Sequence, residues 1–177
     1  AVSLGLVSFA LGTDTAGSGR VPAALNHVVG LKPTLGRLSV EGVVPACQSL
    51  DCVSIFARTA AQADRILNLT DRRNPSDPWQ KCRQAPKRLI GQTFRFGVPA
   101  AEQLRLVEYP EAQALFNATV EHLKALGGEA VTIDLAPFHE AAALLYDGPW
   151  VNERQLAVDA LVESRDKVHP VVREVLA

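Results

Sequence analysis

A chain of 177 residues, 47% apolar and 21% charged, can bury one sizeable core and falls outside the composition of disordered chains. A formal net charge of -1 gives no basic field for nucleic acid, and the apolar opening, residues 1–11, is too short to cross a bilayer, so neither is expected as a partner. Three cysteines, Cys47, Cys52 and Cys82, lack metal-ligand spacing, and an odd thiol count without a secretory leader points to a reducing cytoplasm.

Residues 1–11 are expected to be buried in protein, and with no methionine anywhere the natural polypeptide is expected to start earlier. Within them, residues 7–11 are short, apolar and bounded by Gly5 and Gly12, which suits a buried strand. A loop of small residues follows at 12–20, and Pro22 suits the first turn of a helix continued by Ala23, Ala24 and Leu25. Further strands are expected at 28–31 and 50–56. Thr59 can cap a helix over 60–69, with Ala63, Ile66 and Leu67 on one buried face. Residues 74–86, with Pro75, Pro78 and Pro86, read as a surface connection. Basic side chains gather around it at Arg72, Arg73, Lys81, Arg83, Lys87 and Arg88, but Asp71 and Asp77 are interspersed, and a solvated loop is the better reading.

A strand is expected at 94–98. The clearest helix covers 111–126, where Ala112, Leu115, Phe116, Val120, Leu123 and Leu126 share a stripe and Gly127 follows. A strand at 131–135 and helices at 138–146 and 150–162 complete the pattern. Strands alternating with helices predict an α/β layered fold, in one domain over 1–177.

The loop GTDTAGSGR at 12–20 nearly matches three glycine-rich motifs and misses each by one diagnostic residue. Gly12 and Gly17 have P-loop spacing, but Ser18 stands where that motif needs lysine. Ala16 replaces the first glycine of a nucleophile elbow, and the third glycine of a dinucleotide fingerprint is absent. What remains is a run of small residues at 15–19 that lets the backbone turn tightly and aim successive N–H groups at one oxygen, with Ser18 at the focus. Asp14 and Arg20 flank the loop with opposite charges, which suits a pair holding its ends together.

Residues 12–39, GTDTAGSGRVPAALNHVVGLKPTLGRLS, resemble the signature segment of the amidase-signature family, whose members cleave amides with a Ser-Ser-Lys triad. The resemblance implies an α/β fold with a mixed central sheet covered by helices on both faces, a serine nucleophile at Ser18, and oxyanion-hole amides at Thr15, Ala16 and Gly17. It places a serine in a cis peptide and a lysine base further upstream than the seventeen residues preceding Ser18, so the chain is expected to be the middle to C-terminal portion of a catalytic domain, inactive alone. Lys32 falls in GLKP, where the resemblance assigns no base, and His27 has no motif support. His122, His139 and His169 read as packing or surface residues.

Two further segments, VVPACQSLDCVSIFA at 43–57 and LLYDGPWVNER at 144–154, are similar to the allophanate hydrolases of that family. That similarity assigns substrate contacts to Tyr146 and Arg154, and arginine's paired donors suit the carboxylate of allophanate, a small carboxylated urea. It also implies a seryl acyl-enzyme, no metal or organic cofactor, a homodimer, and a functional link to urea carboxylase in urea or triazine breakdown. An amidase of different substrate range, including a glutaminase-type amidotransferase subunit, shares the Ser18 loop. A non-catalytic phosphate-binding loop is the reading from a different class.

Overall fold

The computed structural model describes residues 1–81, 93–104, 109–161 and 165–175. In chain order the elements are β1 (Phe9–Asp14), α1 (Arg20–Leu25), β2 (Val29–Leu31), β3 (Cys52–Ala57), α2 (Ala60–Thr70), β4 (Phe94–Pro99), α3 (Pro110–Ala125), β5 (Gly128–Ile133), α4 (Ala136–Asp147), α5 (Trp150–Leu161) and α6 (Pro170–Val175), with 3-10 turns at Ala101–Gln103 and Arg165–Lys167. They divide into two compact units, Ala1–Gln84 with Leu145–Ala177, and Ala85–Leu144.

The first unit is built on a three-stranded antiparallel sheet of order β1-β3-β2. Alternation gives β3 two distinct faces. Val53, Ile55 and Ala57 point to one, where Val29, Leu31, Leu38 and the Ala63, Ile66 and Leu67 stripe of α2 complete a core. Thr59 caps α2 as the sequence suggests, its hydroxyl accepting the Gln62 N–H at 3.2 Å. The other face carries Cys52, Ser54 and Phe56 of β3, with glycines beside them at Gly12 of β1 and Gly30 of β2. A Cβ on Gly30 would lie 2.3 Å from the Gly19 carbonyl oxygen and 2.9 Å from Ala23, so the 15–19 loop and α1 rest directly on the sheet there.

Strand β1 begins two residues later than the apolar run suggests and continues through Asp14, because Gly12, Thr13 and Asp14 pair with Ser54, Val53 and Cys52. Among the described residues β1 is an edge strand, paired with β3. The expected burial of the opening stretch is found at Val2 alone; Leu4, Leu6, Val7 and Leu11 are exposed. The expected solvated connection is also more structured than its composition suggests. Asp77 is buried and accepts hydrogen bonds from the Ser39 hydroxyl and the Val40 and Trp79 N–H groups at 2.7, 2.7 and 2.8 Å, while Arg37 pairs with Asp71 at 2.9 Å. Arg72, Arg73 and Lys81 are exposed; Cys82, Arg83, Pro86, Lys87 and Arg88 lie outside the described residues.

In the second unit β4 and β5 pair in parallel, and α3, between them in sequence, packs against β5. Strand β5 starts three residues before the expected 131, since Gly128 has room where a Cβ would meet Phe94, Phe96 and the Leu123 carbonyl oxygen at 2.7 to 2.9 Å. The α3 stripe is narrower than its sequence suggests: Ala112, Phe116, Val120 and Leu123 are half-buried, while Leu115 is 70% exposed. No helix of the described residues is long and apolar enough to cross a membrane.

Candidate active site

The 15–19 loop takes its shape from Asp14, the last residue of β1. Its side chain is 1% exposed, and its two carboxylate oxygens accept the N–H groups of Gly17 and Gly19, each at 2.7 Å. Wrapping a chain around one carboxylate demands small residues. Gly17 has φ +104°, and a Cβ there would lie 2.4 Å from an Arg20 guanidinium nitrogen; one on Gly19 would lie 2.9 Å from the Asp14 carboxylate. Asp14 therefore binds loop amides instead of the expected Arg20. No Asp14–Arg20 ion pair occurs among the described residues.

Ser18 sits between these two anchored glycines and is exposed. Among the described residues its hydroxyl has no hydrogen-bond partner, and the N–H groups of Thr15, Ala16 and Ser18 are unengaged. Of the three amides assigned to an oxyanion hole, the N–H of Gly17 is directed to Asp14, leaving Thr15 and Ala16 with open donors. Behind the loop, the Ser54 hydroxyl is fully buried with no hydrogen-bond partner among the described residues.

A second carboxylate, Asp51, is 4% exposed and immediately precedes β3. It accepts the Thr15 hydroxyl, the Ala46 N–H at 2.9 Å and the Cys47 N–H at 3.2 Å. The same turn meets α5: Ser49 donates its N–H and its hydroxyl to the two carboxylate oxygens of Glu153, at 2.5 and 2.7 Å. Burial alone would raise the Glu153 pKa, but the Ser49 hydroxyl and N–H and the Cys47 thiol together hold it below the ordinary value. Burial, followed by the Glu153 charge, pushes the Cys47 thiol up, away from the reactive thiolate.

Tyr146 is the last residue but one of α4 and Arg154 lies in the first half of α5. The structure brings them together, with the guanidinium carbon 5.2 Å from the Tyr146 ring centroid in cation–π contact. Tyr146 is exposed and Arg154 half-buried. Neither alternative base is arranged for proton transfer: Lys32 donates to the Pro33 carbonyl at 3.3 Å, and His27 is an exposed residue at φ 51° following α1. Sequence reasoning missed Asp51 and Glu153. The only local signals were an acid at the start of a strand and one beside Arg154.

An α/β unit that presents an uncommitted serine hydroxyl on a loop anchored by its own backbone amides is of hydrolase type. The chain belongs to the amidase family, whose model, described as Amidase, matches residues 1–175. It is 43% identical over 166 residues to the urea amidolyase of Saccharomyces cerevisiae, an alignment covering 93% of this chain and 9% of that protein. A mitochondrial glutamyl-tRNA(Gln) amidotransferase subunit of Eremothecium gossypii is 36% identical over 151 residues, covering 82% of this chain and 32% of that one. Among solved structures, the allophanate hydrolase of Kluyveromyces lactis superposes with a TM-score of 0.84 at 37% identity, over 99% of this chain and 29% of that chain. The 177 residues thus span a minor share of each relative.

Proposed function

We propose that this chain supplies the nucleophile and a substrate-recognition pair of an amide hydrolase acting on allophanate, both units belonging to one catalytic domain. The observation that carries the reading is the loop itself: Asp14 consumes the amides of Gly17 and Gly19, leaving the Ser18 hydroxyl and the Thr15 and Ala16 N–H groups uncommitted. Ser18 Oγ attacks the terminal amide carbonyl, and Thr15 and Ala16 donate to the oxygen that becomes negative, with Gly17 shaping the turn. Ammonia leaves, and water discharges the acyl-enzyme; the carboxylated carbamate then breaks down to ammonia and carbon dioxide. A serine hydroxyl needs a base. We assign it to the lysine and cis-peptide serine that the family resemblance places outside these 177 residues. Arg154, oriented by the Tyr146 ring, receives the substrate carboxylate. The similarity to urea amidolyase supports a working link to urea carboxylase, and the dimeric, cytoplasmic setting of the resemblance belongs to the same proposal.

The test is ammonia release from allophanate by the full-length natural polypeptide. Ser18→Ala should lower kcat at least a thousandfold with circular dichroism unchanged; residual activity within tenfold of the parent would overturn the nucleophile. The amidotransferase relative supports a second reading, a glutaminase-type amidase. Glutamine hydrolysed faster than allophanate at equal concentration would select it.

A further inference from the structure

The nucleophile loop and the helix that carries Arg154 are far apart in sequence, yet two hydrogen-bonded carboxylates, at either end of the Cys47–Asp51 turn, join them. We infer that Asp51 and Glu153 are positioning residues, two carboxylates forming a strut that sets the oxyanion donors in register with the carboxylate-binding arginine. The inference rests on the roles proposed above for Ser18 and Arg154.

Thr15, whose N–H is an assigned oxyanion donor, gives its hydroxyl to Asp51, thirty-six residues away. Asp51 also receives the Ala46 and Cys47 N–H groups, and the turn closes on itself where the Leu50 and Asp51 N–H groups donate to the Cys47 carbonyl at 2.9 and 2.8 Å. From that turn Ser49 reaches Glu153, 104 residues away, with one donor on each carboxylate oxygen. Arg154 is the next residue of α5. Among the described residues, every group hydrogen-bonded to either carboxylate is a donor, a hydroxyl or a main-chain amide. A carboxylate offers acceptor sites alone, whereas an amide of the same shape would turn its NH2 toward a donor. The chemistry therefore requires Asp and Glu, and not their amides, at these positions.

Such a strut makes specific demands on kinetics. Asp51 acts through Thr15 on the developing oxyanion, so Asp51→Asn should lower kcat roughly ten- to a hundredfold on any amide while KM moves little. Glu153 acts through Arg154, so Glu153→Gln should raise KM at least tenfold for allophanate and much less for malonamide, which lacks the carboxylate. The full-length polypeptide is used throughout, with Ser18→Ala and Arg154→Ala in the same assays. The decisive comparison is the double variant: Glu153→Gln with Arg154→Ala should have the allophanate KM of Arg154→Ala alone, because both changes remove one interaction. Independent, additive effects would overturn the strut, as would equal KM increases on both substrates. If Arg154→Ala leaves the allophanate KM unchanged, the arginine assignment fails and the strut loses its purpose with it. If Arg154→Ala raises KM and Glu153→Gln does not, the strut alone is wrong. Where Glu153→Gln fails to fold, Ser49→Ala removes only the hydroxyl bond and should shift the allophanate KM in the same direction, by a smaller factor.

Discussion

At Asp14 one buried carboxylate shapes the turn that presents Ser18, and at Arg154 a guanidinium lies over an aromatic ring, 5.2 Å from its centroid. The second arrangement depends on planarity. A lysine keeps the charge but neither the paired donors nor the stacking face, so Arg154→Lys should raise the allophanate KM by about tenfold, equivalent to about 1.4 kcal/mol, with kcat changed much less. Steady-state kinetics decides this, and an unchanged KM would remove Arg154 from the site. Tyr146 and Arg154 were legible in the sequence only through resemblance, since composition alone would make them a core tyrosine and a surface cation. Asp14 was legible as a loop-closing group but not in its partner: backbone amides are invisible to a charge count, and opposite charge pointed to Arg20. Asp51 and Glu153 were not legible at all. Their hydroxyl donors come from residues 36 and 104 positions away, and no periodicity records such pairs.

Most element types were readable, because α2 has a capping threonine and an apolar stripe and α3 is ended by a glycine. Boundaries moved where pairing extended past the apolar residues: β1 runs to Asp14 although its last three residues are Gly, Thr and Asp, since β3 supplies partners for all of them. Sheet and loop meet at Gly30. A methyl group there would press into the Gly19 carbonyl at 2.3 Å, backbone that cannot turn aside. Gly30→Ala should cost about 1–3 kcal/mol in urea unfolding and lower kcat at least tenfold by tilting the Ser18 loop; full activity would show that the loop tolerates movement. The connection after α2 is likewise more than a linker. Burial tends to raise the Asp77 pKa, but the bonds from Ser39, Trp79 and Val40 outweigh it and hold the group below its ordinary 3.8. A folded value below the unfolded one means that ionised Asp77 adds stability above the unfolded pKa, and that this contribution fades as pH falls from 3.8 through the lower folded value. Urea midpoints followed across that window should fall more steeply for the parent than for Asp77→Asn; parallel curves would contradict the assignment.

Across the whole molecule, the first unit draws on both ends of the chain, residues 1–84 and 145–177, with the second unit contributed by the stretch between. Within these 177 residues its apolar opening is buried at Val2 and exposed at Leu4, Leu6, Val7 and Leu11. The two carboxylate clasps consequently differ in when they can close. Thr15 and Asp51 lie 36 positions apart and can meet soon after both are made, whereas Ser49 must wait for Glu153, 104 positions on. A chain halted before α5 should already protect the Gly17 and Gly19 amides from hydrogen exchange, while the Ser49 amide exchanges freely until Glu153 is added. The bonds that shape the Ser18 loop can thus form during synthesis ahead of the one that ties the Cys47–Asp51 turn to α5.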